Sequence, residues 1–295
     1  MTPTQARAFL AVALKGSFSE AARSLSVSQP TVTSQVKEIE RQYAVELFRR
    51  NGRGSVLTPL GKSLLPSIRR MFSSFDEANA LLGEVKGMRR GVLRVGSYGP
   101  FDVMKIIGRY QKRFPSVTLW VDFSNSESLA EKLVNYDIDV AVLGRIKRQP
   151  KFYTLPFSQP PLIVIVPKID KWIGRKSISA AELKSEILVR RERGSTAGVT
   201  NDRFFEKVKI PPSRIFQFGS REGVVNAVAA GIGVATIFDE GFFPEDRIVK
   251  LKIDNPAIVS KVGVVCLNDR RSAPLISNFL DVAKEILRDS KSAQP

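Results

Sequence analysis

Residues 17–41 constrain the fold of this chain more than any other stretch, because they predict two helices in close succession. We expect Ser19 to cap the first helix, which should run roughly from Glu20 to Leu25. A turn of three residues follows, and its central residue, Val27, is expected to be a buried apolar plug. The short first helix and the tight turn place the second helix directly against the first.

The second helix combines an apolar face with a polar one. Pro30 suits its first turn, where a missing N–H costs nothing. Apolar residues recur at spacings of four and three, at Val32, Val36 and Ile39. The other face is rich in hydrogen-bond donors and acceptors, at Gln29, Thr31, Thr33, Ser34, Gln35 and Lys37. This arrangement is typical of a DNA-binding helix-turn-helix, although a plain helical hairpin with a solvated polar face has the same spacing.

The flanking segments favour the DNA-binding alternative. Residues 47–57 read as two short strands around a turn with Asn51-Gly52, a wing that carries Arg49, Arg50 and Arg53. With this wing, residues 1–90 resemble the winged helix-turn-helix of LysR-type transcriptional regulators. The resemblance rests on Phe9, Gly16-Ser17-Phe18, Ala21-Ala22, Ser28-Gln29-Pro30, Val32, Gln35, Glu40, Leu47-Phe48-Arg49-Arg50, Leu57-Thr58 and Gly61. It implies double-stranded promoter DNA and RNA polymerase as partners.

The expected DNA contacts fall into base-reading and backbone-binding groups. Base edges or nearby phosphates should be reached by the polar face of the second helix, at Gln29, Thr31, Thr33 and Ser34. Arg53 should enter or flank the minor groove, while Arg49 and Arg50 contact phosphates or hold the wing. The remaining expected contacts are Ser17, Ser19, Pro30 and Lys37. Ser34 is a departure from the family pattern, since many members carry Arg there.

The chain is strongly basic, with 46 Lys and Arg against 29 Asp and Glu and a net charge of +17. Residues 1–58 carry eight basic and four acidic side chains, so most of the excess lies elsewhere in the chain. The charge therefore supports electrostatic steering and non-specific affinity for DNA, whereas the pattern of the first 58 residues carries the helix-turn-helix prediction.

Several absences narrow the function. The sequence contains no His, which excludes His-based acid–base catalysis and a His–Cys zinc site, and it shows no paired-carboxylate or metal-binding pattern. We therefore expect no enzyme activity, catalytic residue, metal or cofactor. No apolar run of about 20 residues and no apolar signal-peptide core are present, which predicts a cytoplasmic protein without a membrane span. Cys266 lies in an apolar run and is expected to be a buried, reduced thiol.

Residues 59–88 predict one long helix, capped by Thr58 and about 45 Å in length. Apolar residues form a seam along it, at Leu60, Leu64, Ile68, Met71, Phe75, Ala78, Leu82 and Val85. Such a seam is expected to pack against a second copy of the chain, and packing against its own chain is the alternative. In the resembled family this linker helix forms the dimer interface, which implies a homodimer or a dimer of dimers, that is, a homotetramer.

From Val92 onward, strands alternate with helices, which predicts an α/β fold with parallel sheets and helices on both faces. This part resembles the periplasmic-binding-protein-like effector domain of the same family. It should have two subdomains, one of residues 91–164 with 266–290 and one of residues 165–265. The predicted domains are thus a winged helix-turn-helix (1–58), a linker and dimerisation helix with a hinge (59–90), and an effector domain (91–295).

Ligands of such domains bind in the cleft beyond the carboxyl ends of the strands, and hydroxyls at helix starts point to this place. The candidates are Ser97, Tyr98, Ser126, Arg193, Ser195, Thr196 and Ser220, with Asp239 as a counter-charge for an amine. Hydroxyls and free N–H groups at helix N-termini favour a small anionic effector. Each hydroxyl has an alternative role as a plain helix cap, which is the better explanation for Ser126 and Ser220.

The sequence is also similar, more narrowly, to the LysR-type branch associated with aminoethylphosphonate catabolism, which implies a phosphonate effector. The similarity lies in residues 28–33, 43–53, 125–127 and 219–233. A ligand-responsive transcription factor accounts for the helix-turn-helix, the long helix and the cleft together. An architectural DNA-binding protein would leave the α/β part without a role, and a phosphate-handling enzyme would leave residues 1–90 without one.

Overall fold

The computed structural model describes residues 1–52, 54–85, 91–144, 149–192, 194–208, 214–239, 246–254 and 258–292. The chain divides into two compact units. The first comprises Met1–Lys86 with Val134–Asp137, and the second comprises Gly87–Leu133 with Ile138–Pro295. Within the described residues, no helix combines the length and the hydropathy that a membrane crossing requires.

In its described residues, the first unit contains four helices and one β-hairpin. They are α1 (Pro3–Lys15), α2 (Phe18–Leu25), α3 (Gln29–Tyr43), β1 (Phe48–Asn51), β2 (Gly54–Leu57) and α4 (Pro59–Val85). The hairpin is antiparallel and pairs Phe48 with Leu57 at its base. Helix α3 begins at Gln29 behind its cap Ser28, has Pro30 in its first turn and buries Val32, Val36 and Ile39, as predicted.

Helix α2 begins earlier than expected, and its cap is Ser17 rather than Ser19. The Ser17 hydroxyl accepts a hydrogen bond from the Glu20 N–H at 3.5 Å, so the helix starts at Phe18. This start allows the Phe18 ring to pack on the core of the three helices and edge-on against the Phe48 ring. The extra apolar side chain at the start of α2 could not be seen from the spacing of residues 20–25.

The turn between α2 and α3 is closed by its backbone instead of by an apolar plug. Val27 is 44% exposed, so the prediction of a buried side chain there was wrong. Ser26 adopts a left-handed conformation with φ of 55°, and the Val27 N–H donates to the Ala22 carbonyl at 3.1 Å. Because Leu25, at the end of α2, already packs against the core, the turn needs no further apolar cover.

The apolar seam of α4 divides into a buried part and an exposed part. Leu60 is 49% exposed, but Ile68 is 2% exposed and packs with Phe9 and Leu47, so the seam near Ile68 belongs to the core of its own chain. Further along, Phe75 is 56% and Leu82 is 68% exposed. Packing within the chain, the alternative for the whole seam, therefore holds only for the part near Ile68. The described helix ends at Val85, and the rest of the predicted helix and hinge lies outside the described residues.

The second unit alternates strands and helices, as predicted. Its elements are β3 (Gly91–Ser97), α5 (Pro100–Arg113), β4 (Val117–Phe123), α6 (Ser126–Val134), β5 (Val140–Gly144), β6 (Phe152–Ser158), β7 (Leu162–Pro167), β8 (Ser177–Ile178), β9 (Ile187–Arg191), α7 (Thr196–Val208), β10 (Arg214–Phe218), α8 (Arg221–Ala229), β11 (Ala235–Phe238), β12 (Ile248–Ile253), β13 (Val262–Leu267) and α9 (Pro274–Ser292). Strands β6, β8 and β12 were not predicted.

The first sheet has the strand order β4-β3-β5-β13-β6 and is mixed. Strands β4, β3 and β5 are parallel, as predicted, whereas β13 runs antiparallel to both β5 and β6. The prediction of parallel strands thus holds for β4, β3 and β5 but not for β13, which returns from the second sheet and runs in the opposite direction. The core of this half is formed by apolar residues of the sheet together with α5 and α9.

The second sheet has the order β11-β7-β12-β8 and is also mixed. A parallel pair of β9 and β10 lies beside it, joined by a parallel bridge between Leu188 and Val234. Strands β7 and β13 each remain within one sheet, so the expected subdomain breaks at 164/165 and 265/266 fall inside strands. The crossings lie instead at residues 159–161 and 258–261, where Pro161 and Val259 form an isolated bridge.

Candidate functional site

The polar face of α3 is exposed, and hydrogen bonds from neighbouring residues hold two of its side chains. The Ser19 hydroxyl donates to Gln29 Oε1 at 2.8 Å. The Ser28 hydroxyl caps the helix through the Thr31 N–H and lies 2.7 Å from the Thr31 hydroxyl. Ser19 therefore orients Gln29 at the start of the helix, which leaves the amide group in a defined direction.

A shallow groove follows the same face of α3. It is lined by Gln29, Pro30, Thr33, Ser34, Lys37, Glu38 and Arg41. Hydrogen bonding to Arg41, with the charge of that guanidinium, holds the pKa of the Glu38 carboxyl below its ordinary value. Glu38 is thus neutralised by its neighbour Arg41, whereas Lys37 forms no ion pair with an acidic side chain among the described residues.

The wing is fixed to α3 and to the end of α1. The Glu40 carboxylate accepts hydrogen bonds from the Leu47 N–H at 2.8 Å and the Phe48 N–H at 3.2 Å. The Ser55 N–H donates to the Gly16 carbonyl at 2.8 Å. Arg49 and Arg50 are exposed on β1, where they can meet a phosphate backbone. Arg53 lies outside the described residues.

In the second unit, a cavity of about 300 Å³ lies where helices α5, α6 and α8 begin. Its lining includes Tyr98, Gly99, Ser124, Asn125, Arg191, Glu192, Ser220, Arg221 and Glu222. A smaller, adjoining pocket reaches Ser126, Ser195 and Thr196 at the start of α7. The N-termini of four helices thus converge on one place, and each carries partial positive charge.

Two predicted hydroxyls meet across this pocket. The Ser126 and Thr196 hydroxyls lie 3.0 Å apart, and Thr196 also donates to the Gly144 carbonyl at 3.3 Å. Ser126 belongs to the half built on the first sheet and Thr196 to the other half. A plain helix cap was the preferred explanation for Ser126, but Asn125 caps α6 instead by accepting the Ser128 N–H at 2.9 Å, and Ser126 faces Thr196.

Other predicted hydroxyls are engaged locally. Ser97 is buried, does not line the cavity, and donates to the Gly99 carbonyl of its own turn at 2.6 Å. Ser195 caps α7 by accepting the Gly198 N–H at 3.0 Å, and Ser220 caps α8 by accepting the Gly223 N–H at 2.9 Å. For Ser220 this is the alternative anticipated from the sequence. For Ser97 the structure corrects the expected ligand contact, because the hydroxyl turns inward.

Two charged candidates have different outcomes. Asp239 accepts a hydrogen bond from the Lys250 ammonium at 3.0 Å and is absent from the described linings of both pockets. Its predicted role as a counter-charge for an amine is therefore not supported by its position. Arg193 lies outside the described residues. Tyr98 lines both pockets, as the prediction of an effector contact requires.

The predicted site residues did not include the charged and amide side chains of the cavity, namely Asn125, Arg191, Glu192, Arg221 and Glu222. Arg191 binds the Glu192 carboxylate through two guanidinium nitrogens at 2.8 and 2.9 Å, and Arg221 donates to the Phe238 carbonyl at 3.2 Å. The sequence does place Arg191 at the end of a strand, Ile187–Arg191. This position could have identified it, because ligands bind beyond strand ends.

The charge state of Glu192 follows from its neighbours. Burial raises the pKa of this carboxyl, but hydrogen bonds from Arg191 and its charge, with hydrogen bonds from the backbone and the Asn125 side chain, outweigh burial. The pKa therefore lies below its ordinary value and the group is ionised at neutral pH. The cavity thus contains a carboxylate held by an arginine and an amide.

Two further observations concern the reactivity of the thiol and the binding of metal ions. Cys266 is buried, as predicted, and burial raises the pKa of its thiol to about 12, so the thiol stays protonated and unreactive near neutral pH. Within the described part of the chain, no three His, Cys, Asp or Glu side chains are grouped in a way that would hold a metal ion.

Two protein-family models match the sequence. The model described as "Bacterial regulatory helix-turn-helix protein, lysR family" matches residues 3–62. The model described as "LysR substrate binding domain" matches residues 86–288. Together they account for the winged helix-turn-helix and for the unit that contains the cavity.

Individual regulators are also similar to this chain in sequence or in structure. The RuBisCO operon transcriptional regulator of Allochromatium vinosum is 32% identical over 235 residues, which cover 79% of this chain and 78% of that protein. A full-length variant of OxyR from Pseudomonas aeruginosa superposes with a TM-score of 0.74 at 22% identity, covering 96% of this chain and 95% of that one. Full-length CbnR complexed with its target DNA superposes with a TM-score of 0.69 at 21% identity, covering 97% and 99%. At these identities the two structures show a shared fold.

Proposed function

The chain belongs to the LysR family of bacterial transcriptional regulators, and from that premise we propose that it binds promoter DNA as a homo-oligomer and responds to a small anionic effector. The family assignment makes it a DNA-binding transcriptional regulator with an effector-binding domain, and its named relatives are regulators rather than enzymes. The proposal adds the oligomer, either a dimer or a dimer of dimers, RNA polymerase as a partner, and the domain limits 1–58, 59–90 and 91–295.

The DNA-binding part of the proposal is supported by the exposed polar face of α3. Gln29 lies at the start of the helix, where Ser19 orients its amide. An amide in this position can bind both N6 and N7 of adenine. Arg49 and Arg50 on the wing supply charge for phosphates, which fixes the register of the helix on the duplex without reading sequence.

The effector part of the proposal is carried by one observation, the convergence of four helix N-termini and two arginines on the cavity and its adjoining pocket. Free N–H groups and the dipoles at helix N-termini both favour an anion. Arg191 and Arg221 can add charge-assisted hydrogen bonds, which are the stronger ones. The narrower branch resemblance makes 2-aminoethylphosphonate the first effector to test, beside inorganic phosphate and sulfate.

Replacing Thr196 by Ala should weaken binding of the effector anion by roughly 10- to 150-fold, since a hydrogen bond to a charged group contributes roughly 1.5–3 kcal/mol. Isothermal titration calorimetry of the full-length protein with 2-aminoethylphosphonate, phosphate and sulfate measures this directly. Ser290→Ala is a suitable control, because Ser290 is an exposed serine on α9 whose hydroxyl only bonds the Ile286 carbonyl. Equal affinities in wild type and Thr196→Ala would place the anion somewhere other than the Ser126–Thr196 pocket.

A further inference from the structure

The carboxylate of Glu192 lies where the effector's anionic group is expected. It lines the cavity and accepts two hydrogen bonds from the Arg191 guanidinium, at 2.8 and 2.9 Å. The Asn125 side chain, which belongs to the opposite half of the unit, also donates to it. The Arg191 and Glu192 side chains are 14% and 22% exposed, so the pair is largely withdrawn from water. Two of the best anion-binding groups in the cavity are therefore already engaged by a residue of the chain.

The backbone of Glu192 cannot move out of the way, whereas its side chain can. The Glu192 N–H donates to the Phe218 carbonyl at 3.1 Å, and the Ser195 hydroxyl donates to the Glu192 carbonyl at 2.8 Å. A Cβ atom at Gly198 would lie only 2.4 Å from that carbonyl oxygen, so α7 packs directly on it. A change of side-chain rotamer is therefore the available way to free Arg191 and Asn125.

Resting on the proposed effector function, we propose that Glu192 is a built-in competitor that occupies the anion subsite at Arg191 and Asn125 until an effector displaces it. The observations behind this are the bidentate contact with Arg191, the contact with Asn125 across the cleft, and the position in the cavity lining. The exchange replaces one anion by another on the same donors, so the cavity is never left with uncompensated arginine charge.

The competitor sets a requirement on the effector. The measured affinity is reduced by the fraction of molecules in which Glu192 has left the subsite. A ligand whose anion makes only the contacts that the Glu192 carboxylate already makes gains little free energy from displacing it. Phosphonate, phosphate and sulfate present three or more oxygens and up to two charges, so they can bind Arg191 and the helix N-termini together. The subsite thus selects for tetrahedral oxyanions over simple carboxylates.

The test is calorimetric titration of the full-length protein with 2-aminoethylphosphonate, inorganic phosphate, sulfate and acetate. Glu192→Gln removes the competing charge, and we expect it to bind the tetrahedral anions roughly tenfold or more tightly than the wild type. Glu131→Gln is the matched control, because Glu131 is an exposed acid on α6 of the same unit and lines neither pocket. Its affinity should stay within roughly twofold of the wild type, since exposed charges are screened by salt.

The outcomes separate the competitor from the effector proposal. Equal gains in Glu192→Gln and Glu131→Gln would reveal a general charge effect and overturn the competitor. Unchanged affinity in Glu192→Gln, with binding still weakened in Thr196→Ala, would also overturn it while leaving the effector site in place. If neither the wild type nor Glu192→Gln bound any of the anions, the effector proposal would fail and the competitor with it. Glu192→Ser, checked by circular dichroism and DNA binding, replaces Glu192→Gln if that variant does not fold.

Discussion

Replacing Phe75 by Glu should convert the protein from dimers into monomers. Phe75 is 56% exposed on α4 although it belongs to an apolar seam, and Met71 and Leu82 extend the same exposed part. If two copies bury this surface against each other, a carboxylate in its centre must be desolvated without a partner. We expect the dissociation constant of the dimer to rise at least about a hundredfold, which corresponds to roughly 3 kcal/mol.

Analytical ultracentrifugation measures this effect, with Phe75→Leu as the control that keeps an apolar side chain. Phe75→Leu should remain dimeric, and Phe75→Glu should also lose most of its affinity for operator DNA, because a monomer reads only one half-site. The seam near Ile68 should tolerate no such change, since Ile68 packs with Phe9 and Leu47 in the core of its own chain. A stable dimer of Phe75→Glu would mean that the copies meet through another surface.

Replacing Gln29 by Ala should relax the sequence specificity of DNA binding and cost about 1–3 kcal/mol at the base that Gln29 reads. The expectation follows from its place at the start of α3 and from the hydrogen bond by which Ser19 orients its amide. Ser19→Ala should reproduce a smaller part of the same effect, because it leaves Gln29 in place but less constrained. Binding measurements on the operator and on single-base variants distinguish lost specificity from lost affinity.

Arg50→Ala is the matched comparison for this prediction. Arg50 is exposed on β1 and is expected to bind a phosphate, so its loss should weaken binding to all DNA sequences alike. The slope of log K against log salt should fall in magnitude by about 0.9 for the lost contact. Unchanged discrimination among operator variants in Gln29→Ala would remove the base-reading role of Gln29.

The sequence predicted most of the winged helix-turn-helix because its signals are local. The cap at Ser28, the proline in the first turn of α3 and the apolar spacing up to Ile39 each act within one helix. The errors arose where packing decided the outcome. Phe18 begins α2 early because its ring reaches Phe48, which is distant in sequence, and Val27 stays exposed because Leu25 already covers the core.

The α/β unit was harder to predict, because the direction of a strand is a property of the whole sheet. The apolar run of residues 262–267 predicts strand β13. Its antiparallel direction depends on the end of the sheet at which the chain enters, which the run does not show. Strand β6 contains Pro156 and lies at the edge of its sheet, where proline is tolerated but hides the strand pattern. Strand β12 has alternating burial only in part, so its sequence does not show the pattern that predicts a strand.

The cavity was predicted in place but only partly in composition. Hydroxyls at helix starts pointed to the pocket where Ser126 and Thr196 meet, and their contact with an effector stays a prediction. Whether a hydroxyl faces the cavity or its own turn depends on side-chain geometry, and Ser97 and Ser195 are engaged locally. Arg191 gave a weak signal because the chain has many arginines, and only the folded arrangement pairs it with Glu192 beside Asn125.

An anion bound in the cleft is expected to change sequence-specific binding to DNA. Footprinting of the DNA upstream of the gene for this chain, with and without 2-aminoethylphosphonate, phosphate or sulfate, tests it most directly. We predict protection of a defined site with two related half-sites, and a change in its extent or affinity on adding at least one anion. A coupling of ~1–3 kcal/mol corresponds to a shift of about 5–150-fold in affinity. Protection that shows no sequence preference, or that is identical with and without every anion, would contradict the claim.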